Sequence, residues 1–513
     1  MMKKTRLDPI TLEIQWKRLV SMVDEASAAF VRTSFSVLVR EANDFAVVLT
    51  DAQGRSIAQS GLSIPSFIGT LPATVKHFLE VFPAQTLKSG DVMITNDPWM
   101  GTGHIHDVNV AMPIFHKGRL VAFAAVVSHM PDIGGRIRNA GIREIFEEGL
   151  QIPRLKLIRA GKPDQGVFDM IARNVRVPEQ TLGDIWAQVA ACKMLEERLR
   201  PLLRDTDLDA LGTEIRRRSE AAMRKSIRAV PDGVYRARTQ HDGFEEPILI
   251  NCAVTVKGDR IAIDYAGSSP QVPRAVNVVP IYCFAYSAFA VKALLNPDVP
   301  NNEGSFLPIT TSAPLGSIFN PRYPAASGGR GMIGHMMVPA IMMALADVLP
   351  GRAIAEGSSN SSITIAGEHK GRPYAAISFM NAGQGATRHR DGFTMLSFPS
   401  NLANTPIEVF EQMAPVRVIE RAIRRGSGGA GKQRGGDGLR FEIEVATDSP
   451  MTASMIMTRF RTAPQGILGG APGAVGGLWL NGKPINPAEH WVLGKGDRVV
   501  METAGGGGCG KPA

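Results

Sequence analysis

Cysteine is scarce in this chain. Its four cysteines (Cys192, Cys252, Cys283 and Cys509) lie far apart among 513 residues, with no CxxC or CxxH pairing. That spacing excludes a zinc knuckle and a disulfide framework, and Cys252 and Cys283, inside apolar runs, read as core residues. Aromatic residues are also few, at 6%. The formal charge of +9 is dispersed and not interleaved with aromatics, so no stacking platform for nucleic acid is indicated. The densest basic groups, Arg216-Arg217-Arg218 and Arg421 to Arg425, read as solvated helix faces. Long apolar runs are missing as well. Leu120 to Val127 is too short to span a bilayer, and Met336 to Leu349 is short and contains Pro339 and Asp347. No apolar run of signal length follows the basic start MMKKTRLDPI, so the expectation is a cytoplasmic protein acting without membrane or nucleic acid. A GxSxG elbow is absent, which removes the best-marked route to a serine nucleophile.

What is present is an ordinary globular balance, 44% hydrophobic and 20% charged, over a length beyond the reach of one core. Asp8-Pro9 is a helix start, and apolar residues at three- and four-residue steps from Leu12 predict a helix over 10–38. Strands are predicted at 45–49, 56–58 and 90–95, with a short helix over 70–82 between them. Residues 180–230 read as helical until Pro231-Asp232-Gly233 breaks the pattern. That break divides an N-terminal domain, 1–230, from a C-terminal domain, 231–513. In the latter, strands are predicted at 234–238, 248–256, 260–265, 361–366, 374–379, 439–446 and 453–459, and helices at 282–295 and 334–348. Glycines cluster toward the end (426–431, 469–470, 476–477, 505–508) and read as turns and tight packing. The fold class is α+β (mixed α/β), multi-domain, with a hairpin-rich first half and a glycine-rich second half.

Ten histidines occur in the chain, and four fall between His104 and His129. The segment reads as a β-hairpin whose two-residue turn is Lys117-Gly118. With that turn, residue i faces residue 235 − i, so His129 faces His106, with His104 and Asp107 a residue or two away. Imidazoles and a carboxylate thus converge, as a metal site requires; two imidazoles with one carboxylate suit zinc, manganese or iron better than calcium or magnesium. In a regular strand His104 and His106 share one face and Asp107 the other, so a site using His104 and Asp107 needs His104 in the preceding loop, or a bulge. The alternative is that these side chains simply bind loop backbone at the hairpin ends.

Two nucleotide motifs are near misses. Gly329-Arg330-Gly331-Met332-Ile333-Gly334 fits GxGxxG, with Glu356 at the acidic position, but Phe319 to Pro324 cannot be the buried strand the motif needs. Gly426 to Lys432 fits GxxxxGK, but Gln433 replaces the magnesium-binding hydroxyl and no helix begins there. It reads as a surface turn, or as an amide-rich loop able to meet an anion.

Several longer stretches carry a resemblance. Asp8 to Ile14, Arg40-Glu41 with Asp44-Phe45, Thr95-Asn96-Asp97-Pro98, Gly103 to Val108, His129 to Gly135, Glu144 to Leu150, the Gly426–Gly438 loop and the terminal glycines resemble the hydantoinase B/oxoprolinase family. Its relatives include large subunits of N-methylhydantoinases, caprolactamase and acetone-type carboxylases. The likeness covers nearly the whole chain. It implies a division of labour: a hydantoinase A-like subunit, separate or fused, binds ATP and magnesium and phosphorylates an inert carbonyl or amide oxygen. The large subunit then completes the reaction at a divalent transition-metal site. The resemblance implies His104, Asp107 and His129 as ligands, makes His106 their neighbour, and gives Asp44 and Asp132 as further ligands or acid/base groups. Trp99 to Gly103 and Met130 depart from the common pattern beside this site. The implied activity is ring opening of a hydantoin, oxoproline or lactam within a hetero-oligomer. Ketone carboxylation with bicarbonate and a purely structural subunit are the alternatives. An iron oxygenase fits less well, because the ligand spacing is HxxD rather than HxD.

Overall fold

The computed structural model describes residues 8–359 and 361–512; the basic residues 1–7 lie outside the described residues. The first helix, Pro9–Thr33, begins as expected: Asp8 Oδ1 accepts from the amides of Ile10 and Thr11 at 3.0 Å each. It buries Leu12, Trp16, Leu19, Val23, Ala26 and Phe30. It stops short of the predicted residue 38. Asp184, from a later helix, takes the amides of Phe35 and Ser36 at 2.7 and 3.1 Å, and a separate turn, Val37–Arg40, follows.

A seven-stranded sheet organises the first half. Its order is Ser56–Gln59, Phe45–Asp51, Arg119–His129, Asp107–His116, Val92–Thr95, Leu155–Arg159, Lys162–Pro163. The central strands read FAVVL and AFAAVV rather than alternating, because both faces are covered. Val47, Val110, Ala124 and Val126 pack under the helices Pro9–Thr33 and Pro178–Leu199. Ala46, Val48, Phe123 and Ala125 pack on the opposite side with the helix Thr70–Val81. The helical stretch after 178 is interrupted at Pro201 and restarts with Asp207 capping Leu208–Arg228. Arg216 on that helix is not on a solvated face: it is buried and meets Asp51 at 3.1 Å.

The second half begins with a four-stranded sheet in which Gly233–His241, Ile248–Lys257 and Arg260–Asp264 are successive neighbours. The apolar helix Pro280–Leu295 and the methionine-rich Met337–Ala344 share its core. The latter is shorter than predicted, since a separate turn, Gly331–Gly334, precedes it. Two further sheets follow. One contains Ser361–His369, Arg372–Met380, Met451–Ile456 and His490–Leu493; the other is built around Val416–Arg424, Gly438–Val445 and Arg498–Glu502. The basic run 421–425 is therefore largely strand and not a helix face. Among the described residues, no helix is long and apolar enough to cross a membrane.

The late glycines pack backbone against backbone. Gly506 donates to Gly436 O and Gly429 donates to Gly506 O, at 2.9 and 2.8 Å. A Cβ on Gly506 would lie 1.9 Å from Gln384 O, closer than any side chain can approach. The GxxxxGK stretch lies in this layer. Several of its amides are bonded within the layer, Gly428 to Asp437, Lys432 to Gly510 O and Gln433 to Cys509 O, so it is a packed segment rather than a free surface turn.

Candidate metal centre

The hairpin turn forms as read. Lys117 and Gly118 both have positive φ, 49° and 77°, as a two-residue turn matched to strand twist requires. The register that follows differs from the simple count. Phe115 pairs with Leu120, but Ile114 pairs with Ala122, so Val121 is an extra residue and forms a bulge. From there every partner shifts by one, and His129 faces Asp107 instead of His106.

His104 arrives from the loop before the strand. Asn96 holds that loop, donating to Ile105 O and Leu150 O at 2.7 and 2.9 Å and accepting from the amide of Ile152 at 2.6 Å. Gly103 sits at φ 99°, where a Cβ would be 2.7 Å from Arg330 Nε; only glycine fits there. His104, Asp107 and His129 thus offer ligand atoms all within 4.8 Å of one another, and all three are buried.

The outer atoms of the three side chains are pinned and the inner ones are left open. His104 Nδ1 is 3.2 Å from Gly328 O, and His129 Nδ1 is 2.9 Å from Met130 O. A carbonyl only accepts, so each Nδ1 carries the proton and each Nε2 presents a lone pair. Neither Nε2 has a hydrogen-bond partner among the described residues. Burial pushes both imidazoles well below their ordinary pKa, which keeps them neutral. Asp107 Oδ2 takes two donors, Thr102 Oγ1 at 2.8 Å and Arg330 Nη2 at 2.7 Å. Its Oδ1 lies 2.7 Å from His104 Nε2, yet the pair makes no hydrogen bond. Two lone-pair atoms this close, without a proton aligned between them, fit a shared cation, and the outer contacts are those that orient metal ligands.

The surroundings were only partly foreseen. His106 is buried beside the trio, its ring 5.0 Å from His104 and 5.4 Å from His129. Asp44 lines the same cavity of about 50 Å³; burial, together with the neighbouring Asp107, pushes its carboxyl up to about 8. Asp132 is engaged elsewhere. Its carboxylate holds Arg176 Nη1 at 2.7 Å and the amides of Arg176 and Gly134 at 2.6 and 3.2 Å.

Sequence reasoning missed the second-half loop that closes the site. Glu148 accepts from the amides of Ser327 and Gly328 at 2.7 and 2.6 Å, and burial pushes it up to about 7. This sets Gly328 O against His104 and delivers Arg330 to Asp107, with the guanidinium 4.3 Å over the Tyr282 ring. The signal was present in Gly329-Arg330-Gly331, whose glycines serve close approach here rather than a dinucleotide. Glu356, at that motif's acidic position, is instead fully buried in an ion pair with Arg459 at 2.9 Å.

Fold and site together define a mixed α/β protein with a buried His₂Asp cluster that could hold a metal ion. The Hydantoinase B/oxoprolinase family model matches residues 8–512, and the chain belongs to that family. Among its relatives is the beta subunit of the caprolactamase of Pseudomonas jessenii, 29% identical and aligned over 99% of this chain and 91% of that protein. The 5-oxoprolinase of Dictyostelium discoideum is 29% identical over 99% of this chain, which spans 41% of that longer protein. The crystal structure of the ATP-dependent caprolactamase from Pseudomonas jessenii matches with a TM-score of 0.90 at 28% identity. That match covers 99% of this chain and 92% of that one.

Proposed function

We propose that this chain is the metal-dependent component of an ATP-dependent cyclic-amide hydrolase, opening a hydantoin, 5-oxoproline or lactam ring. It works with a hydantoinase A-like partner that binds ATP and magnesium. The observation that carries this reading is the pair of unpartnered Nε2 atoms of His104 and His129 gathered with Asp107 Oδ1. His104, Asp107 and His129 would hold a zinc, manganese or iron ion. When bound, such an ion supplies Lewis acidity and lowers the pKa of water.

Amides resist water because nitrogen donates into the carbonyl. Phosphorylation of the oxygen by the partner converts the amide to a C=N unit bearing a phosphoryl group. Water then adds its oxygen to carbon and a proton to nitrogen. The C–N bond breaks with its electrons going to nitrogen, and the remaining hydroxyl proton follows. A second water cleaves the resulting acyl phosphate to acid and inorganic phosphate. Asp44, buried in the cavity beside the trio, is the carboxyl group placed to carry that proton from oxygen to nitrogen. Asp132 holds Arg176 and the turn after the hairpin, which favours a positioning role for it. The chain has no usable nucleotide motif of its own, in keeping with ATP being handled by the partner.

The test is a substrate screen on the co-purified pair, with metal analysis of the same sample. Ring opening that requires ATP and metal, and not bicarbonate, is expected. Strict bicarbonate dependence with a ketone substrate would replace the hydrolase with a carboxylase. Full activity in His104→Ala and His129→Ala proteins without metal would leave only a structural role.

A further inference from the structure

Arg138 stands apart from the other buried arginines. Arg330, Arg459 and Arg216 each have a carboxylate within 3.1 Å: Asp107, Glu356 and Asp51. Arg138 is half-buried and, among the described residues, forms no ion pair. It lines the cavity that holds the trio and also the smaller one beside His106 and Asp132. Its Nε donates to Gly328 O at 2.9 Å and Nη1 to Ser362 Oγ at 3.2 Å. A guanidinium has five N–H donors, so three are left without a protein acceptor among the described residues. Gly328 O is also the acceptor for His104 Nδ1, so one carbonyl fixes both the guanidinium and a proposed ligand.

We propose that Arg138 anchors a phosphoryl-binding subsite beside the trio. It would take the phosphoryl group of an O-phosphorylated amide and then the inorganic phosphate released from it. The choice of this anion rests on the function proposed above; the existence of an anion subsite does not. Asp44 and Asp107 line the same cavity but neither makes an ion pair with Arg138, and a cation without a direct salt-bridge partner in a partly desolvated cavity is stabilised by an incoming anion. The planar fork suits two oxygens of a tetrahedral phosphoryl group better than a point charge would. Arg330 cannot fill this role as well, since its charge is already matched by Asp107.

The subsite is tested with inorganic phosphate on the metal-loaded complex, with the partner's nucleotide site saturated by ADP. Titration calorimetry of wild type, Arg138→Gln and Arg138→Lys gives the affinities. The glutamine variant is expected to bind phosphate roughly tenfold more weakly or worse, with unchanged metal content, and the lysine variant to keep part of the affinity. In turnover, the ATP consumed per ring opened should rise in Arg138→Gln, because the partner still phosphorylates while capture fails. Unchanged phosphate affinity in Arg138→Gln overturns the proposal. So does an equal loss in both variants accompanied by metal loss, which would make Arg138 a brace for the Gly328 loop. A complex that binds phosphate through Arg138, opens no lactam, and instead requires bicarbonate and a ketone would keep the subsite and remove the hydrolase.

Discussion

Asp107 and His129 face each other across the hairpin because Val121, well removed from either, is an extra residue in one strand. The bulge turns a count that pairs two histidines into one that pairs a carboxylate with a histidine. The carboxylate is then finished from outside, by Thr102 and Arg330 on Oδ2.

Asp107→Asn should abolish stable metal binding, since it removes the only carboxylate of the trio and the charge that matches Arg330. Thr102→Val keeps the ligand and removes one contact to Oδ2, and should weaken metal affinity by about 10- to 100-fold. Metal content after dialysis against graded chelator distinguishes the two. Equal retention in wild type and Asp107→Asn would refute the ligand set.

Gly103→Ala forces a Cβ to 2.7 Å from Arg330 Nε at a positive φ. The expected cost is about 1–3 kcal/mol, together with displacement of Arg330 and loss of metal. Glycine at 118 provides the control, because nothing lies within 4 Å of its Cβ position. Gly118→Asn should leave metal binding intact, as read by metal content and melting temperature.

The Glu356–Arg459 pair is fully buried and has further partners: Thr239 donates to Glu356, the Gln465 amide donates to it at 2.9 Å, and Arg459 donates to Gln240 O at 3.0 Å. Glu356→Gln leaves a buried guanidinium without its counter-charge, and destabilisation of about 3–5 kcal/mol is expected. A melting temperature within a degree of wild type would contradict this.

His241 is buried, and desolvation lowers its pKa to about 4. A histidine depressed in the folded state contributes stability that is present above the unfolded value near 6.5 and lost as pH falls toward 4. For the neighbouring Asp242, burial is outweighed by the charge of His241 and by the amides of Phe460, Thr462 and Arg461, which hold its carboxyl down; it acts in the same direction at lower pH. Melting temperature should therefore fall between about pH 6.5 and 4. In His241→Asn, whose amide oxygen can still accept from Gly243, that loss should be smaller. Parallel curves for the two proteins would count against it.

Much of this was legible in the chain. Asp8-Pro9 marked the first helix, Lys117-Gly118 the turn, and the apolar run from Phe45 a strand. Periodicity works there because the cause is local. It failed at residue 34, where Asp184 intercepts the helix from far along the chain, and at Val121, an extra strand residue that no local pattern marked. The basic run at 421–425 was misread because charge alternation in a half-exposed strand resembles a solvated helix face. For the site, the hairpin cluster was visible, and the family resemblance narrowed it to His104, Asp107 and His129. Arg330 stood in a glycine pattern resembling a dinucleotide motif and Glu148 in a family-like stretch, but neither they nor Arg138 could be assigned to the site, since what they do depends on a distant loop folding over the hairpin.

That loop has a consequence for how the protein matures. All three proposed ligands lie before residue 130, but the carbonyl that orients His104 is at 328 and the cation that braces Asp107 at 330. A first half alone would keep the Met130 contact of His129 but would lack the carbonyl that orients His104 and the guanidinium that braces Asp107. Any metal held by the three side chains is thus expected to bind more weakly to the isolated first half than to the whole chain, which metal titration of the two would show.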